Sequence, residues 1–203
     1  MMLTNIYLSI MQINFSNTTF VKSAPSLKDA PQGQFPEVLL VGKSNVGKSS
    51  LINALCSKKA LAFTSSKPGH TRLLNYYNID NKVYLVDAPG YGFAKGGFDL
   101  DKLFGEMMND YFSNAKRLKL VLVLLDSRRE LGENDIEIIN FIREKDINHL
   151  LVFTKVDKVN QSEKAKLLKH LKEIGIEEDE IIFTSTLKTR TFDVLRNKIS
   201  LLK

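Results

Sequence analysis

Eight consecutive residues, Gly42-Lys43-Ser44-Asn45-Val46-Gly47-Lys48-Ser49, fit the pattern G-x-x-x-x-G-K-[ST]. Glycines at that spacing let a backbone wrap a phosphate, with N–H groups pointing inward and a helix N-terminus behind them. The Lys48 ammonium can reach β- and γ-phosphates, and the Ser49 hydroxyl can coordinate Mg²⁺. At average glycine frequency the pattern arises by chance in about one chain per hundred of this length. An apolar strand before it and a helix after it separate it from an ordinary glycine turn.

Three further clusters have matching chemistry. Asp87-Ala88-Pro89-Gly90 ends a β-rich run. Asp87 can hold Mg²⁺ through a water, and the Gly90 N–H can meet a γ-phosphate, making the loop sensitive to hydrolysis. Strand-ending Asp-Pro-Gly turns are common; the phosphate loop upstream gives this one its meaning. Thr154-Lys155-Val156-Asp157 follows another apolar run. A carboxylate at Asp157 can accept from guanine N1–H and the 2-amino group, and a base without those donors leaves a buried charge unpaired. The Lys155 stem can cover the base plane. Ser185, flanked by Thr184 and Thr186, is placed to present its backbone N–H to the guanine oxygen.

Thr71 is the candidate for a second Mg²⁺ hydroxyl, singled out only by its place between the first helix and a hairpin. Lys48, Thr71 and Gly90 are thus expected around the reacting phosphate, and Ser49, Thr71 and Asp87 around the metal. Tyr91 stands where many GTPases place a glutamine that orients the attacking water, which points to slow intrinsic hydrolysis. Asn45 could ligate a monovalent cation such as K⁺ beside the phosphates, or merely stabilise the turn.

Strands and helices that would position these residues alternate regularly. Strands are expected at Glu37–Val41, Leu73–Ile79, Val83–Val86, Leu120–Leu125, Leu150–Phe153 and Ile181–Phe183. Helices are expected at Ser49–Ser57, Asp99–Asn114, Glu133–Glu144, Ser162–Ile174 (stopped by Gly175) and Phe192–Leu202. Asp80-Asn81 reads as the turn of an antiparallel hairpin. The pattern predicts an α/β fold of the P-loop NTPase kind: a doubly wound, mostly parallel sheet with one antiparallel hairpin strand and helices on both faces. Ligands bind at the carboxyl ends of such strands, which places every cluster on one rim. A single domain over residues 1–203 is expected, with 1–34 as an N-terminal extension that can add an edge strand and 35–203 as the nucleotide-binding domain.

Composition narrows the class. Hydrophobic residues make 43% and charged residues 26% of the 203, which suits a folded globular protein and argues against a mainly disordered chain. The single cysteine, Cys56, excludes an internal disulfide framework and reads as a buried thiol. Net charge +6 permits an anionic partner such as RNA or a membrane surface, or only a solvated surface of mixed charge. The N-terminal run lacks an early basic cluster and a small-residue cleavage site, so neither signal peptide nor membrane span is expected; Met11 could be the true start.

The blocks GKSNVGKSSLINAL, KPGHTRLLNYY, DAPGYGFAK, TKVD and FTSTLK together resemble the EngB group of bacterial GTPases, within the TrmE-Era-EngA-EngB-Septin-like P-loop class. The likeness runs from about Phe20 to the C-terminal helix, and DAPGYGFAK carries it most specifically through Tyr91, Gly92 and Lys95. It implies a cytoplasmic, monomeric GTPase binding GTP or GDP with Mg²⁺ on Ser49 and Thr71. Nucleotide contacts would extend over Gly69, His70, Thr71, Arg72 and Leu73, over Ala88 and Pro89, and over Val156. It also implies a role in assembling the large ribosomal subunit, through a precursor particle or its rRNA, and in normal cell division and septation. No membrane or DNA partner is implied. His70 stands where the group usually has Arg, and Thr184-Ser185-Thr186 where Ser-Ser is usual. A rival reading makes RNA binding by the helix bearing Lys164, Lys166, Lys169 and Lys172 the main activity, with turnover incidental. An ATP-dependent enzyme conflicts with Asp157.

Overall fold

The computed structural model describes residues 13–62, 73–91 and 98–202, the side chains of 98–104 excepted. Seven strands form one sheet: β1 (Thr18–Ala24), β2 (Glu37–Gly42), β3 (Leu74–Ile79), β4 (Val83–Asp87), β5 (Leu118–Asp126), β6 (His149–Thr154) and β7 (Ile181–Phe183). Their order is β1-β3-β4-β2-β5-β6-β7. β4, β2, β5, β6 and β7 run parallel, and β3 pairs antiparallel with both β4 and β1. The helices are α1 (Lys48–Leu55), α2 (Phe98–Asn114), α3 (Glu133–Glu144), α4 (Gln161–Glu173) and α5 (Asp193–Ser200).

Strand geometry sends alternate side chains to opposite faces. In β2, Val38 and Leu40 join one core with Leu51, Ile52 and Leu55 of α1 and Leu195 and Ile199 of α5. Leu39 and Val41 join the other, with Met108 and Tyr111 of α2, Ile139 and Ile142 of α3 and Leu171 of α4. Both faces of the central strands are therefore covered, which is why β5 reads as a continuous apolar run.

The hairpin turn is where the sequence places it. Asp80 and Asn81 both have positive φ, 54° and 52°, and the Lys82 N–H donates to the Ile79 carbonyl at 2.9 Å. Asp80 also accepts from the Asn14 N–H and the Asn17 amide, tying the N-terminal segment to the hairpin. Ile13 and Phe15 are buried, and β1 is the edge strand. Helix ends differ slightly from the sequence reading. α1 stops at Leu55 because Ser57 takes a left-handed φ of 53°, and Phe192 belongs to a 3-10 turn, Thr189–Phe192, ahead of α5. α4 starts one residue early on a reciprocal cap: the Glu163 N–H donates to Asn160 Oδ1 at 3.0 Å and the Asn160 N–H to Glu163 Oε2 at 2.7 Å. Gly175, φ 76°, follows its end. Among the described residues, no helix is long and apolar enough to cross a membrane.

The N-terminal end of β2 holds a charge in the core. Glu37 is fully buried, paired with Arg117 Nη2 at 2.6 Å and accepting from the Tyr111 hydroxyl. Arg117 also donates to the Pro31 carbonyl at 3.0 Å and lies over the Tyr84 ring, closing residues 31–33 onto the sheet. Removing one partner of a buried pair strands the other charge. Arg117→Ala should therefore destabilise the fold by about 3–5 kcal/mol, read from urea unfolding; a loss under about 1 kcal/mol would mean that Tyr111 alone holds the Glu37 charge.

Candidate nucleotide-binding site

The carboxyl ends of β2, β4, β6 and β7 bring the sequence-predicted clusters to one rim. The loop from Gly42 to Lys48 needs its glycines for different reasons. A Cβ on Gly42 would lie 2.9 Å from the Leu124 carbonyl oxygen, so space forbids a side chain. At Gly47 a Cβ would make only ordinary contacts, 3.8 Å or more from Thr154 and Lys155, but φ is 112°, in the left-handed region. Asn45 also has a positive φ of 62°, which Asn tolerates better than most residues. Lys48 and Ser49 begin α1, both half-buried, and the exposed Lys43 and half-buried Ser44 form the outer arm of the loop.

The loop is tied to its neighbours by backbone groups. Ser44 N–H donates to the Tyr91 carbonyl at 3.0 Å, and a Cβ on Gly90 would meet Ser44 Cα at 2.9 Å. The Thr154 hydroxyl lies 2.7 Å from the Val46 carbonyl and 3.1 Å from that of Leu125. Lys155, at φ 59°, reaches back across the loop; its Nζ donates to the Asn45 carbonyl at 3.0 Å and to Asp126 Oδ2 at 2.9 Å. A cavity of about 250 Å³ lies along this side, lined by Lys43, Asn45, Asp126, Arg128 and Lys155 among others.

Asp87 closes β4 and is buried, and its Oδ1 has no hydrogen-bond partner. Burial pushes its carboxyl up to about 6, an effect only partly offset by the Lys48 ammonium. A desolvated, unpartnered carboxylate oxygen beside the start of α1 fits a divalent cation, with Ser49 as a further oxygen donor. Ala88 continues the loop with its N–H on the Leu40 carbonyl at 3.0 Å, and Pro89 leads to Gly90. Tyr91 is buried, and its hydroxyl donates to Asp135 Oδ1 at 2.6 Å. Asp135 Oδ2 accepts the Gly132 N–H at 2.9 Å at the start of α3.

Asp157 accepts from the Ser185 hydroxyl at 2.6 Å, and that bond holds its carboxyl below the usual range. One expectation is corrected here. The Ser185 N–H does not face outward to a base: it donates to Thr191 Oγ1 at 3.0 Å. Ser185 instead orients Asp157, and the exposed Thr186 supplies the next N–H of the loop. Val156 N–H donates to the Thr184 carbonyl at 3.2 Å, joining the loops that follow β6 and β7. Leu73 is half-buried just before β3. Gly69, His70, Thr71, Arg72, Gly92 and Lys95 lie outside the described residues. Sequence reasoning missed Asp126 and Arg128; a carboxylate closing an apolar strand on this rim was the available signal.

The family model for the 50S ribosome-binding GTPase matches residues 37–155. The chain is 44% identical to "Probable GTP-binding protein EngB" of Fusobacterium nucleatum over 180 residues, 88% of this chain and 92% of that protein. It is 42% identical to the protein so named in Lactococcus lactis, over 88% of this chain and 93% of the relative. A crystal structure of a probable GTP-binding protein EngB is similar at TM-score 0.63 and 25% identity, covering 80% of this chain and 96% of that one. Era in complex with MgGDPNP and nucleotides 1506–1542 of 16S ribosomal RNA is similar at TM-score 0.60 and 29% identity, covering 85% of this chain and 58% of Era.

The unpartnered carboxylate has a measurable signature. Because burial raises the folded pKa of Asp87 from the ordinary carboxylate value of 3.8 to about 6, the folded state binds more protons between those values. Stability therefore falls as pH rises through that window in metal-free, nucleotide-free protein. Asp87→Asn should raise stability at pH 7.5 by on the order of 2–3 kcal/mol, with the gain shrinking toward pH 4. Denaturant titrations at both pH values check it, and a destabilised variant at pH 7.5 would show that Asp87 is already paired.

Proposed function

The chain belongs to the EngB family of GTP-binding proteins, and from that premise we propose a slow, Mg²⁺-dependent switch that acts in assembly of the large ribosomal subunit. It is a P-loop GTPase, binding GTP and GDP and hydrolysing GTP. In the proposed site, backbone N–H groups from Gly42 to Ser49 and the Lys48 ammonium surround the phosphates. Ser49, Asp87 and Thr71 hold Mg²⁺, which neutralises charge on the β- and γ-phosphates. Asp157, oriented by Ser185, reads the guanine edge; the Lys155 stem covers the base, and Thr186 donates to its carbonyl.

The observation that carries the switch is the approach of Gly90 to Ser44. The loop expected to sense the γ-phosphate already rests on the loop that cradles phosphates, at a distance only glycine permits. A γ-phosphate would draw the Gly90 N–H toward itself, and hydrolysis would release it. The phenol of Tyr91 is committed to Asp135, so it does not replace a water-orienting glutamine. That supports slow turnover without a partner.

Support for the ribosomal role comes from the family model's description and from the Era complex with ribosomal RNA. A part in cell division and septation, and a cytoplasmic site of action, belong to the same reading. The exposed Lys166, Lys169 and Lys172 of α4 favour the second reading, in which RNA binding is the main activity.

Sedimentation with ribosomal subunits separates the two. The switch requires association with large subunits in a non-hydrolysable GTP analogue and release in GDP; equal, salt-sensitive association in both states would favour plain RNA binding. Unpartnered GTP turnover should be well below one per second and faster in KCl than in matched NaCl if Asn45 helps to hold K⁺. Several turnovers per second would overturn the slow switch, and equal rates in the two salts would remove potassium from the site.

A further inference from the structure

Asp126 is the last residue of β5 and pairs in register with Thr154, so its side chain stands at the rim beside the base-side loop. Its carboxylate is nearly buried, with 10% of the side chain exposed, yet it faces two cations. Oδ2 accepts from Lys155 Nζ at 2.9 Å and from Arg128 Nη2 at 2.7 Å. Oδ1 accepts from Arg128 Nε at 2.9 Å and from its backbone N–H at 3.1 Å. Burial alone would raise the carboxyl, but the hydrogen bonds from Arg128 and then Lys155 outweigh it and hold the group well below the usual carboxylate range. The fork from Arg128 fixes the plane of the carboxylate, and that leaves one oxygen aimed at Lys155.

Lys155 is the residue that most needs such a hold. A lysine side chain has more rotamer freedom to lose than most when it is fixed in one geometry. Here its backbone is also left-handed, and its stem crosses the phosphate loop, with Cε 3.9 Å from the position a Gly47 Cβ would take. Its ammonium is shared between Asp126 and the Asn45 carbonyl, joining β5, the base-side loop and the phosphate loop through one group.

We propose that Asp126 is a positioning residue for the guanine nucleotide: it pins the Lys155 ammonium, with Arg128 as its lock, so that the Lys155 stem and the Asn45 carbonyl are in place before the nucleotide arrives. This rests on the assignment of Lys155 and Asp157 to the base. Ordering that is present before binding lowers the cost of binding and shows mainly in slower release. Asp126 touches neither base nor phosphate in this scheme; it acts through Lys155.

Stopped-flow release of a fluorescent GDP analogue from the full chain tests it. Asp126→Asn, which keeps shape and removes charge, should speed release roughly tenfold. Lys155→Met should do so at least as strongly, and the double variant should release no faster than Lys155→Met alone. Arg128→Ala should give a smaller effect in the same direction, with Asp126 intact. A merely structural Asp126 would give effects that multiply in the double variant, and that outcome, or unchanged release in Asp126→Asn, overturns the proposal. Thermal unfolding of each variant shows whether the protein is folded; should Asp126→Asn fail to fold, Arg128→Ala carries the test, and unchanged release there overturns the proposal too. Failure of the base assignment looks different: Lys155→Met and Asp157→Asn would both leave GDP release unchanged, and Asp157→Asn would gain no affinity for xanthine nucleotides.

Discussion

The turn from β2 into α1 depends on backbone meeting backbone where a side chain would not fit. Gly42 lies against the Leu124 carbonyl, and the turn beyond it runs through left-handed Asn45 and Gly47 before α1 can start. Such a turn leaves its polar groups unsupported unless neighbours supply partners. The neighbours are the other loops of the same rim: Tyr91 takes the Ser44 N–H, Thr154 takes the Val46 carbonyl, and Lys155 takes that of Asn45. The turn at Gly42–Ser49, the loop after β4 and the loop after β6 are therefore parts of one hydrogen-bonded unit.

Two buried carboxylates show how the sheet divides its work. Glu37, at the amino end of β2, is satisfied by Arg117 and Tyr111, and it closes the N-terminal segment onto the domain. Asp87, at the carboxyl end of β4, has an oxygen without a partner. The first is a finished interaction that contributes to specifying the fold. The second is left desolvated and unpaired on the rim, which is the mark of a candidate functional group rather than of a fold-specifying one.

Much of this was legible in the sequence because it rests on short-range rules. Short continuous apolar runs in EVLLV and LVLVLL mark buried strands, Asp80-Asn81 marks a turn, and G-x-x-x-x-G-K-S marks an anion cradle. The pairings that were missed join residues distant in the chain. Glu37 finds Arg117 only after β2 and β5 have paired, and Asp126 finds Lys155 only across β5 and β6. The Ser185 N–H was expected to be free for a ligand but is used within the protein, because its partner, Thr191, lies in a 3-10 turn that no periodicity announces. The extent of α1 was likewise misjudged, since the left-handed turn at Ser57 follows a helix whose residue types would permit another turn.

The bond between Tyr91 and Asp135 acts as a mechanical linkage. One oxygen of Asp135 caps the start of α3 and the other holds the phenol that directly follows Gly90. Any shift of the loop at Gly90 must either carry the first turn of α3 with it or uncouple from it. The angle at which α3 leaves the rim is in that sense a gauge of the loop's position.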